Sequence, residues 1–560
     1  MVSLADVRAW NPGTLDEICS VLRTRAQILV NDGDDYGKIL PVESWTGPAA
    51  DNAAVQHKNH MQALDTYVAG VSALGKAVGQ AADAILGVQA AIRDADELAR
   101  KYGFAITADG AIVCVYAGQP PPDLHPQDRA RAQQQLTDDV AQILRTADDI
   151  DTDLASVLDR AAAGQFGTGN ETTVAAAAAD GLKDPGLTLP EPPANATPAQ
   201  NAAWWATLSK AGRDIMIRDR PGTIGAMDGL PGGARDRANR AVLAQQQADL
   251  QRQRADLQRR MDGLKMSDPQ QQNEHHDLQV QLDRINDRLS ELSKVDQALQ
   301  LPGGRQLLVL DGSGEHLRAA VASGNVDTAR NIVTFTGGLG SSVNGDLLDY
   351  DNRMDQIRQD ADDMARKSGD GGKSAAVTWM GYDAPQSLDV LSTGKAENGA
   401  AKLAPFLEGL DASREGDPAR LVALGHSYGS TTTGIALRHA GVDAAIFAGS
   451  PGLDTGSISD LKVPPGESYV LKNDGDPVAT SGWFGTDPAQ MPGVHHMSTD
   501  RSFPADGPPL EATTGHSSVE EYLRPGTTSQ HNIAAVVANT PAERTLLDQP
   551  GFEYQLPGGR

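Results

Sequence analysis

The first part of the chain carries long patterns of apolar and polar residues with the period of an α-helix. The stretches concerned are 14–30, 47–102 and 127–163. Before the third of them lies an alternating segment, 104–116, in which Asp109-Gly110 predicts the turn of a β-hairpin. We therefore predict an all-α domain over residues 1–165 that contains one small β-hairpin. The following residues, 166–200, are rich in glycine, alanine, proline and threonine, and this composition predicts a linker.

A second helical pattern follows the predicted linker. Leucines recur every seven residues over 243–264, and an apolar series with spacings of four and three continues over 278–292. Asp268 and Pro269 lie between the two series, where the proline would break a continuous helix. Residues 235–300 are therefore predicted to form an antiparallel helical hairpin of coiled-coil type. Such an arm is either a packed structural element or a docking surface for a partner.

The rest of the chain changes to short apolar runs bounded by turn residues, which are typical of buried strands. The predicted strands are 305–311, 316–322, 330–335, 375–380, 420–424, 442–448, 467–472 and 493–498. Helical patterns occur near 346–367, 396–410 and 428–439. Early strands without helices between them, followed by alternation of strands and helices, predict an α/β domain over 201–560 with a mostly parallel eight-stranded sheet.

The pentapeptide Gly-His-Ser-Tyr-Gly at 425–429 joins one of these strands to a helix. A serine on a sharp strand-to-helix turn is typical of the nucleophile elbow of α/β hydrolases. Glycine is needed at both ends of the pentapeptide because a side chain there would collide with neighbouring backbone. The turn lifts the Ser427 hydroxyl off the end of the sheet and directs the Tyr428 backbone N–H toward a developing oxyanion.

In such enzymes the acid follows the serine in the chain, on a loop after a later strand. The strand predicted over 467–472 is followed by a turn-forming loop that holds Asp474 and Asp476. Pro477 restricts the conformation of Asp476, whereas Asp474 precedes a glycine and is more typical of a turn former. We therefore favour Asp476 as the acid and keep Asp474 as the alternative.

The general base should be a histidine beyond the acid. The pair at 495–496 lies in the last predicted strand, where its two rings point to opposite faces, and His531 lies in a polar stretch near the C-terminus. His516 instead follows a long loop, and Ser517 and Glu520 behind it have the spacing of a capping box. A histidine fixed at a loop-to-helix junction can reach back to the serine, so we predict His516 as the base.

A second oxyanion donor is expected from the glycine-rich loop at 336–342, which follows the third predicted strand. Around these residues the chain, over about 200–530, resembles the actinobacterial α/β hydrolases of unknown function. The resembling segments are Trp-Trp-Ala-Thr-Leu (204–208), Ile-Gly-Ala-Met-Asp-Gly-Leu-Pro (224–231), Trp-Met-Gly-Tyr-Asp-Ala-Pro (379–385), 425–430, 473–478 and 515–517. The resemblance implies a triad of Ser427, Asp476 and His516. The chain has Gly-Gly at 337–338 where that family more often has Pro-Gly, so the second donor is either Gly338 or Leu339.

The N-terminal helices carry a second resemblance. Trp45-Thr46-Gly47 lies between the first two helical patterns, and a helix, a Trp-x-Gly turn and a second helix resemble the WXG family of type VII secretion substrates. The resemblance covers about residues 5–102. It implies a helical hairpin that self-associates or binds a WXG-type partner.

Composition excludes several functions. The formal charge of −26 and the absence of a basic cluster argue against nucleic-acid binding. Cys19 and Cys114 are the two cysteines, so no disulfide framework is expected, and no Cys/His spacing typical of a metal site occurs. Neither a secretory signal peptide nor an apolar stretch long enough for a transmembrane segment is expected.

These patterns together predict a serine hydrolase of the lipase or esterase type, acting on a small-molecule or lipid ester without a cofactor or metal. The alternative is a type VII secretion-associated interaction or effector protein in which the helical N-terminal domain has the main role. The protein is accordingly expected in the cytoplasm, or exported without a signal peptide by a type VII route.

Overall fold

The computed structural model describes residues 2–40, 44–116, 126–167, 173–264, 267–386, 392–414, 418–504 and 507–547. The chain divides into two compact units. One comprises residues 1–196 with 200–215, and the other comprises residues 197–199 with 216–560. Within the described ranges, no helix is both long and apolar enough to cross a membrane.

The first unit is built from helices and one small β-hairpin. Its elements are α1 (Leu4–Ala9), α2 (Pro12–Gly37), α3 (Pro48–Lys101), β1 (Phe104–Ile106), β2 (Ile112–Cys114), α4 (Pro126–Ala162) and α5 (Val174–Gly181). The core is formed by one face of α3, where alanines recur every four residues from Ala69 to Ala81 and are fully buried. Small side chains at this spacing let larger residues of α4, such as Leu136 and Ile143, pack closely against the α3 backbone.

The segment 166–200, for which the composition predicts a linker, contains the helix α5. Thr173 caps this helix by accepting a hydrogen bond from the Ala176 N–H, and the alanine run that follows favours the helical conformation. Val174 and Ala177 are buried against Val68 of α3. Residues 174–181 are therefore packed onto the helical unit, because an alanine-rich stretch with one valine can bury a narrow apolar face.

Two helices follow at the boundary between the units, α6 (Pro198–Thr207) and α7 (Lys210–Asp219). The second unit contains the large sheet. Its strands are β3 (Arg305–Asp311), β4 (Arg318–Ser323), β5 (Asn331–Thr336), β6 (Ser374–Met380), β7 (Arg420–His426), β8 (Ala444–Ala448), β9 (Ser468–Leu471) and β10 (Val494–Met497). Its helices are α8 (Pro221–Ala226), α9 (Gly232–Asp262), α10 (Pro269–Leu299), α11 (Val343–Lys367), α12 (Gly394–Ala412), α13 (Tyr428–Leu437) and α14 (Thr528–Val537).

The eight strands form one sheet in the order β10-β9-β8-β7-β5-β6-β4-β3. β4 is antiparallel to both of its neighbours, and every other pair of adjacent strands is parallel. The predicted mostly parallel α/β-hydrolase sheet is confirmed. Both faces of the sheet are buried: one under α10, α11 and α14, and the other under α12 and α13. The parallel strands are almost wholly buried for this reason, which explains their continuous apolar runs.

The predicted antiparallel helical hairpin is also confirmed, as α9 and α10. The two halves of this arm pack differently. Near its base, Leu243 and Leu292 belong to the core that covers one face of the sheet. Toward its tip, Leu257, Leu278 and Leu282 form a separate small cluster. The base is therefore part of the core of the second unit, and the outer part of the arm has an apolar seam of its own.

Candidate active site

The strand β7 leads directly into the predicted elbow. Ser427 has φ 53° and ψ −133°, a conformation that L-residues rarely adopt. A Cβ atom at Gly425 would lie 2.5 Å from the Ser430 Cα atom, and one at Gly429 would collide with the Thr336 carbonyl oxygen. The two glycines of the pentapeptide therefore allow the strand, the serine and the helix α13 to approach each other at this sharp turn.

The structure brings together the three residues predicted as nucleophile, base and acid. The Ser427 Oγ atom lies 2.8 Å from His516 Nε2. His516 Nδ1 lies 3.0 Å from Asp476 Oδ1 and 2.9 Å from Asp476 Oδ2. The strand register accounts for the meeting, because His426, Ala448, Leu471 and Met497 are aligned in the neighbouring strands β7, β8, β9 and β10. The loops that leave these strands therefore emerge at the same edge of the sheet.

Asp476 is almost completely buried and is held by several donors. Its Oδ1 accepts hydrogen bonds from the Val478 and Ala479 N–H groups at 2.9 and 3.0 Å, and its Oδ2 accepts one from the Tyr522 hydroxyl at 2.7 Å. Burial would raise the pKa of Asp476, but the hydrogen bonds from His516, Ala479 and Tyr522 outweigh it, and this pKa lies below its ordinary value. A carboxylate so held is ionised at neutral pH. Asp474, the alternative acid, is exposed.

The loop that carries His516 is fastened to the loop that carries the acid. The Asn473 side-chain amide donates a hydrogen bond to the Gly515 carbonyl at 2.9 Å, and its oxygen accepts one from Thr513 Oγ1 at 2.7 Å. Beyond His516, Ser517 accepts a hydrogen bond from the Glu520 N–H, as the capping spacing predicts. The element that it caps is a single π-helical turn, Ser518–Tyr522.

The residue between Gly425 and Ser427 supports the base from the other side. His426 Nε2 lies 2.8 Å from the His516 carbonyl oxygen, so this nitrogen carries a proton and donates it. The two imidazole rings are 4.9 Å apart, and the Tyr522 ring is 5.5 Å from that of His426. Burial, together with the nearby His516, lowers the pKa of His426 to about 3. The His426 ring is therefore neutral at physiological pH.

The sequence patterns do not reveal the roles of His426, Asn473 and Tyr522. The motif 425–429 admits almost any residue at its second position, so nothing in it indicates the hydrogen bond that His426 makes. Asn473 and Tyr522 likewise act through contacts with residues distant in sequence. Gly449, which follows β8, has φ 55°, and a Cβ there would lie 3.0 Å from Asp476 Oδ2 and 3.2 Å from His516 Cε1. A glycine in this place leaves room for the acid and the base to meet.

The predicted oxyanion donors lie beside Ser427. A Cβ at Gly338 would be 2.8 Å from Ser427 Cβ and 2.9 Å from the Tyr428 nitrogen, so the glycine-rich loop runs in contact with the elbow. The Tyr428 N–H is at the start of α13 and has no acceptor within that helix. The Gly340 N–H donates to the Pro385 carbonyl at 2.8 Å, which removes it as a donor to substrate. Gly338 and Leu339 remain the two alternatives for the second N–H.

The segment 379–385 positions the glycine-rich loop. The Tyr382 hydroxyl donates a hydrogen bond to the Gly337 carbonyl at 2.8 Å, and its ring stacks on Trp379 with centroids 5.8 Å apart. Burial raises the pKa of Tyr382, so its hydroxyl remains a donor. This contact connects two of the segments that the sequence singles out.

A cavity of about 470 Å³ opens over the serine. Its lining includes Ser427, His516 and all three predicted oxyanion residues, Gly338, Leu339 and Tyr428. Among the described residues, no group of three or more His, Cys, Asp or Glu side chains is arranged to hold a metal ion. The chemistry that the side chains themselves offer is a hydroxyl paired with an imidazole, and an imidazole paired with a buried carboxylate.

The sheet and the elbow define the class of protein: an α/β hydrolase. The α/β hydrolase domain family matches residues 311–485, a range that includes Ser427 and Asp476. An uncharacterized protein of Mycobacterium tuberculosis is 32% identical over 234 residues, which cover 40% of this chain and 88% of the relative. An uncharacterized protein of Mycobacterium bovis matches with the same identity and coverage. The chain therefore belongs to an α/β hydrolase family with mycobacterial members.

A second uncharacterized protein of M. tuberculosis matches a longer part of the chain. It is 28% identical over 402 residues, which cover 66% of this chain and 60% of that relative. The similarity thus extends well beyond the 175 residues of the domain match.

Proposed function

We propose that the protein is a serine hydrolase that cleaves a carboxylic ester through an acyl-enzyme intermediate. The observation that carries the proposal is the 2.8 Å contact between Ser427 Oγ and His516 Nε2, with Asp476 on the other nitrogen of the same ring. A hydroxyl is a weak nucleophile at neutral pH and needs a base within hydrogen-bond reach. A buried carboxylate on Nδ1 keeps Nε2 free to accept the hydroxyl proton.

In this proposal Ser427 attacks the ester carbonyl carbon while His516 Nε2 takes the hydroxyl proton. The carbonyl oxygen becomes negative and is stabilised by the Tyr428 N–H and by the N–H of Gly338 or Leu339. When the tetrahedral intermediate collapses, His516 returns the proton to the leaving alcohol, and the acyl group stays on Ser427. Water then attacks the acyl-enzyme by the same steps, and the carboxylic acid is released.

Asp476 has two roles in this mechanism. It holds the His516 ring in the tautomer that leaves Nε2 unprotonated, and it stabilises the imidazolium that forms during attack. The donors around Asp476 keep the carboxylate ionised and fixed, so neither role requires it to take up a proton.

The proposal is tested by the hydrolysis of p-nitrophenyl esters. Ser427→Ala should lower kcat/KM by about 10⁴-fold or more, because it removes the hydroxyl that is paired with His516 Nε2. Ser459→Ala is a matched control, since Ser459 is exposed and does not line the cavity. Retention of most esterase activity by Ser427→Ala would refute the assignment.

A second candidate function belongs to the helical unit. On α2, Ile18, Val21 and Ile28 are 43%, 68% and 42% exposed, and their spacing places them on one face of the helix. Trp45 of the Trp-Thr-Gly turn is 46% exposed. We propose that this face binds a second hairpin, either of another copy or of a WXG-type partner, and that export by a type VII route accompanies this role.

Sedimentation of the full chain tests this second proposal. Val21→Glu should shift an associated species toward the monomer, because a charge would be buried in the proposed interface. Ser20→Glu is the control, since Ser20 is exposed on a different side of α2. A wild-type chain that is monomeric and binds no partner would refute the proposal and leave the hydrolase proposal untouched.

A further inference from the structure

The cavity above Ser427 is lined by side chains of two kinds. The first kind is aromatic and aliphatic, and it comprises Leu339, Pro451, Val478, Trp483 and Phe484. Phe484 is buried, with its ring 5.3 Å from that of Tyr428 and perpendicular to it, whereas Trp483 is 61% exposed. The apolar lining therefore includes a buried ring in contact with the elbow and, next to it in the chain, an exposed indole.

The second kind of lining side chain is negatively charged. Asp346 and Asp349 lie near the start of α11, and Glu520 lies on the π-helical turn behind His516. No lysine or arginine lines the described part of the cavity. The Arg353 guanidinium lies 4.0 Å from Glu520 and is 29% exposed. Three carboxylates thus face the cavity with one arginine beside them.

Among the described residues, no group of three or more His, Cys, Asp or Glu side chains is arranged to hold a metal ion. These three carboxylates therefore do not form a metal site. Asp346 also has a structural role, because its Oδ2 accepts a hydrogen bond from the Ser342 N–H at the start of α11. Asp349 and Glu520 are exposed and line the cavity, and Glu520 is also within 4.0 Å of Arg353. Their negative charge therefore acts on the molecule that occupies the cavity above Ser427.

Resting on the proposed ester hydrolysis, we propose that the substrate is an ester that carries an ammonium group, and that anionic esters are rejected. Carboxylates attract an organic cation, and an exposed indole face provides the cation–π surface that ammonium groups prefer. An anionic ester would instead approach three like charges across a partly desolvated cavity, which lowers its local concentration near Ser427. Asp349, Glu520 and Trp483 are the specificity-determining residues.

Three thioesters with the same butyryl group test the inference, because release of the thiol can be followed identically for each. They are butyrylthiocholine, its uncharged tert-butyl isostere and an analogue with a sulfonate in place of the ammonium. The expected order of kcat/KM is cationic, neutral, anionic, with about a five- to tenfold difference at each step. Both differences should shrink in 0.5 M NaCl, since salt screens exposed charges.

The variant Asp349→Asn combined with Glu520→Gln should reduce the cationic-to-anionic ratio of kcat/KM about tenfold or more. Asp363→Asn is the matched control: it removes an exposed carboxylate of the same helix that does not line the cavity, and it should leave the ratio unchanged. Equal kcat/KM for the three thioesters, or an unchanged ratio in the double variant, would overturn this inference alone. Absence of Ser427-dependent turnover of all three would overturn the proposed function together with it.

Discussion

His426 donates a hydrogen bond from Nε2 to the backbone carbonyl of His516, at 2.8 Å. The residue next to the proposed nucleophile thus holds the backbone of the proposed base. The bond joins positions 90 residues apart and ties the loop that carries His516 to the end of β7. We expect this bond to help position the His516 ring for proton transfer from Ser427.

Removal of this bond should slow catalysis. His426→Phe keeps a ring of similar size but cannot donate, so we expect kcat for ester hydrolysis to fall about tenfold, with a smaller change in KM. His495→Phe is the control. His495, on β10, lies beside Tyr469 of β9 and does not line the cavity. If His426→Phe changes KM alone, His426 contributes to substrate binding and does not position the base.

Burial of His426 should make the stability of the folded protein depend on pH. The pKa of His426 falls from 6.5 to about 3 on folding, so between these values the unfolded chain binds one more proton than the folded chain. Stability therefore decreases as the pH falls below 6.5, by about 2 kcal/mol between pH 7 and pH 5. His426→Phe should remove this contribution. Urea unfolding at both pH values measures it, and an identical pH dependence in wild type and variant would show that His426 is not its source.

The acid is tested by changing the two neighbouring aspartates separately. Asp476→Asn keeps the size of the side chain but favours the wrong tautomer of His516, so kcat should fall about 10³- to 10⁴-fold. Asp474→Asn, on the exposed side of the same loop, should change kcat less than about twofold. The measurement is steady-state ester hydrolysis, and the opposite ranking would assign the role to Asp474.

The two halves of the arm should respond differently to deletion. Replacing 251–284 by a short glycine-serine turn removes the tip cluster around Leu257 and keeps Leu243 and Leu292 on the sheet, so the second unit should still unfold cooperatively. Deleting 235–300 exposes the core residues as well and should abolish folding of this unit. Circular dichroism during thermal unfolding distinguishes the two variants. Cooperative unfolding of the larger deletion would show that the base is dispensable.

Much of the fold could be predicted because the signals are local. Apolar runs of five to seven residues indicated the strands. The glycines at 425 and 429 indicated the turn, because the close backbone contacts of a nucleophile elbow leave no room for side chains there. The leucine spacing predicted the arm, but it could not show that Leu243 packs on the sheet whereas Leu257 packs within the arm. The same heptad pattern continues through both positions, and only the tertiary fold decides what lies opposite each leucine.

The candidate site also has residues that the sequence could predict and contacts that it could not. Asp476 and His516 could be proposed from chain order and loop chemistry, and their roles remain predictions. The hydrogen bond from Tyr522 to Asp476 spans 46 residues, and its donor lies on a π-helical turn that sequence periodicity does not predict. Contacts of this kind depend on the meeting of three loops at one sheet edge, which becomes visible only when the strands are in register.

The site at which a fluorophosphonate probe reacts identifies the nucleophile directly. Incubation of the full chain with the probe, followed by proteolysis and mass spectrometry, should yield one adduct, on the peptide that contains Ser427. Ser427→Ala should abolish labelling, and His516→Ala should slow it by at least about 10²-fold, because the base no longer activates the hydroxyl. An adduct on a different serine, or labelling that persists in Ser427→Ala, would contradict the proposal.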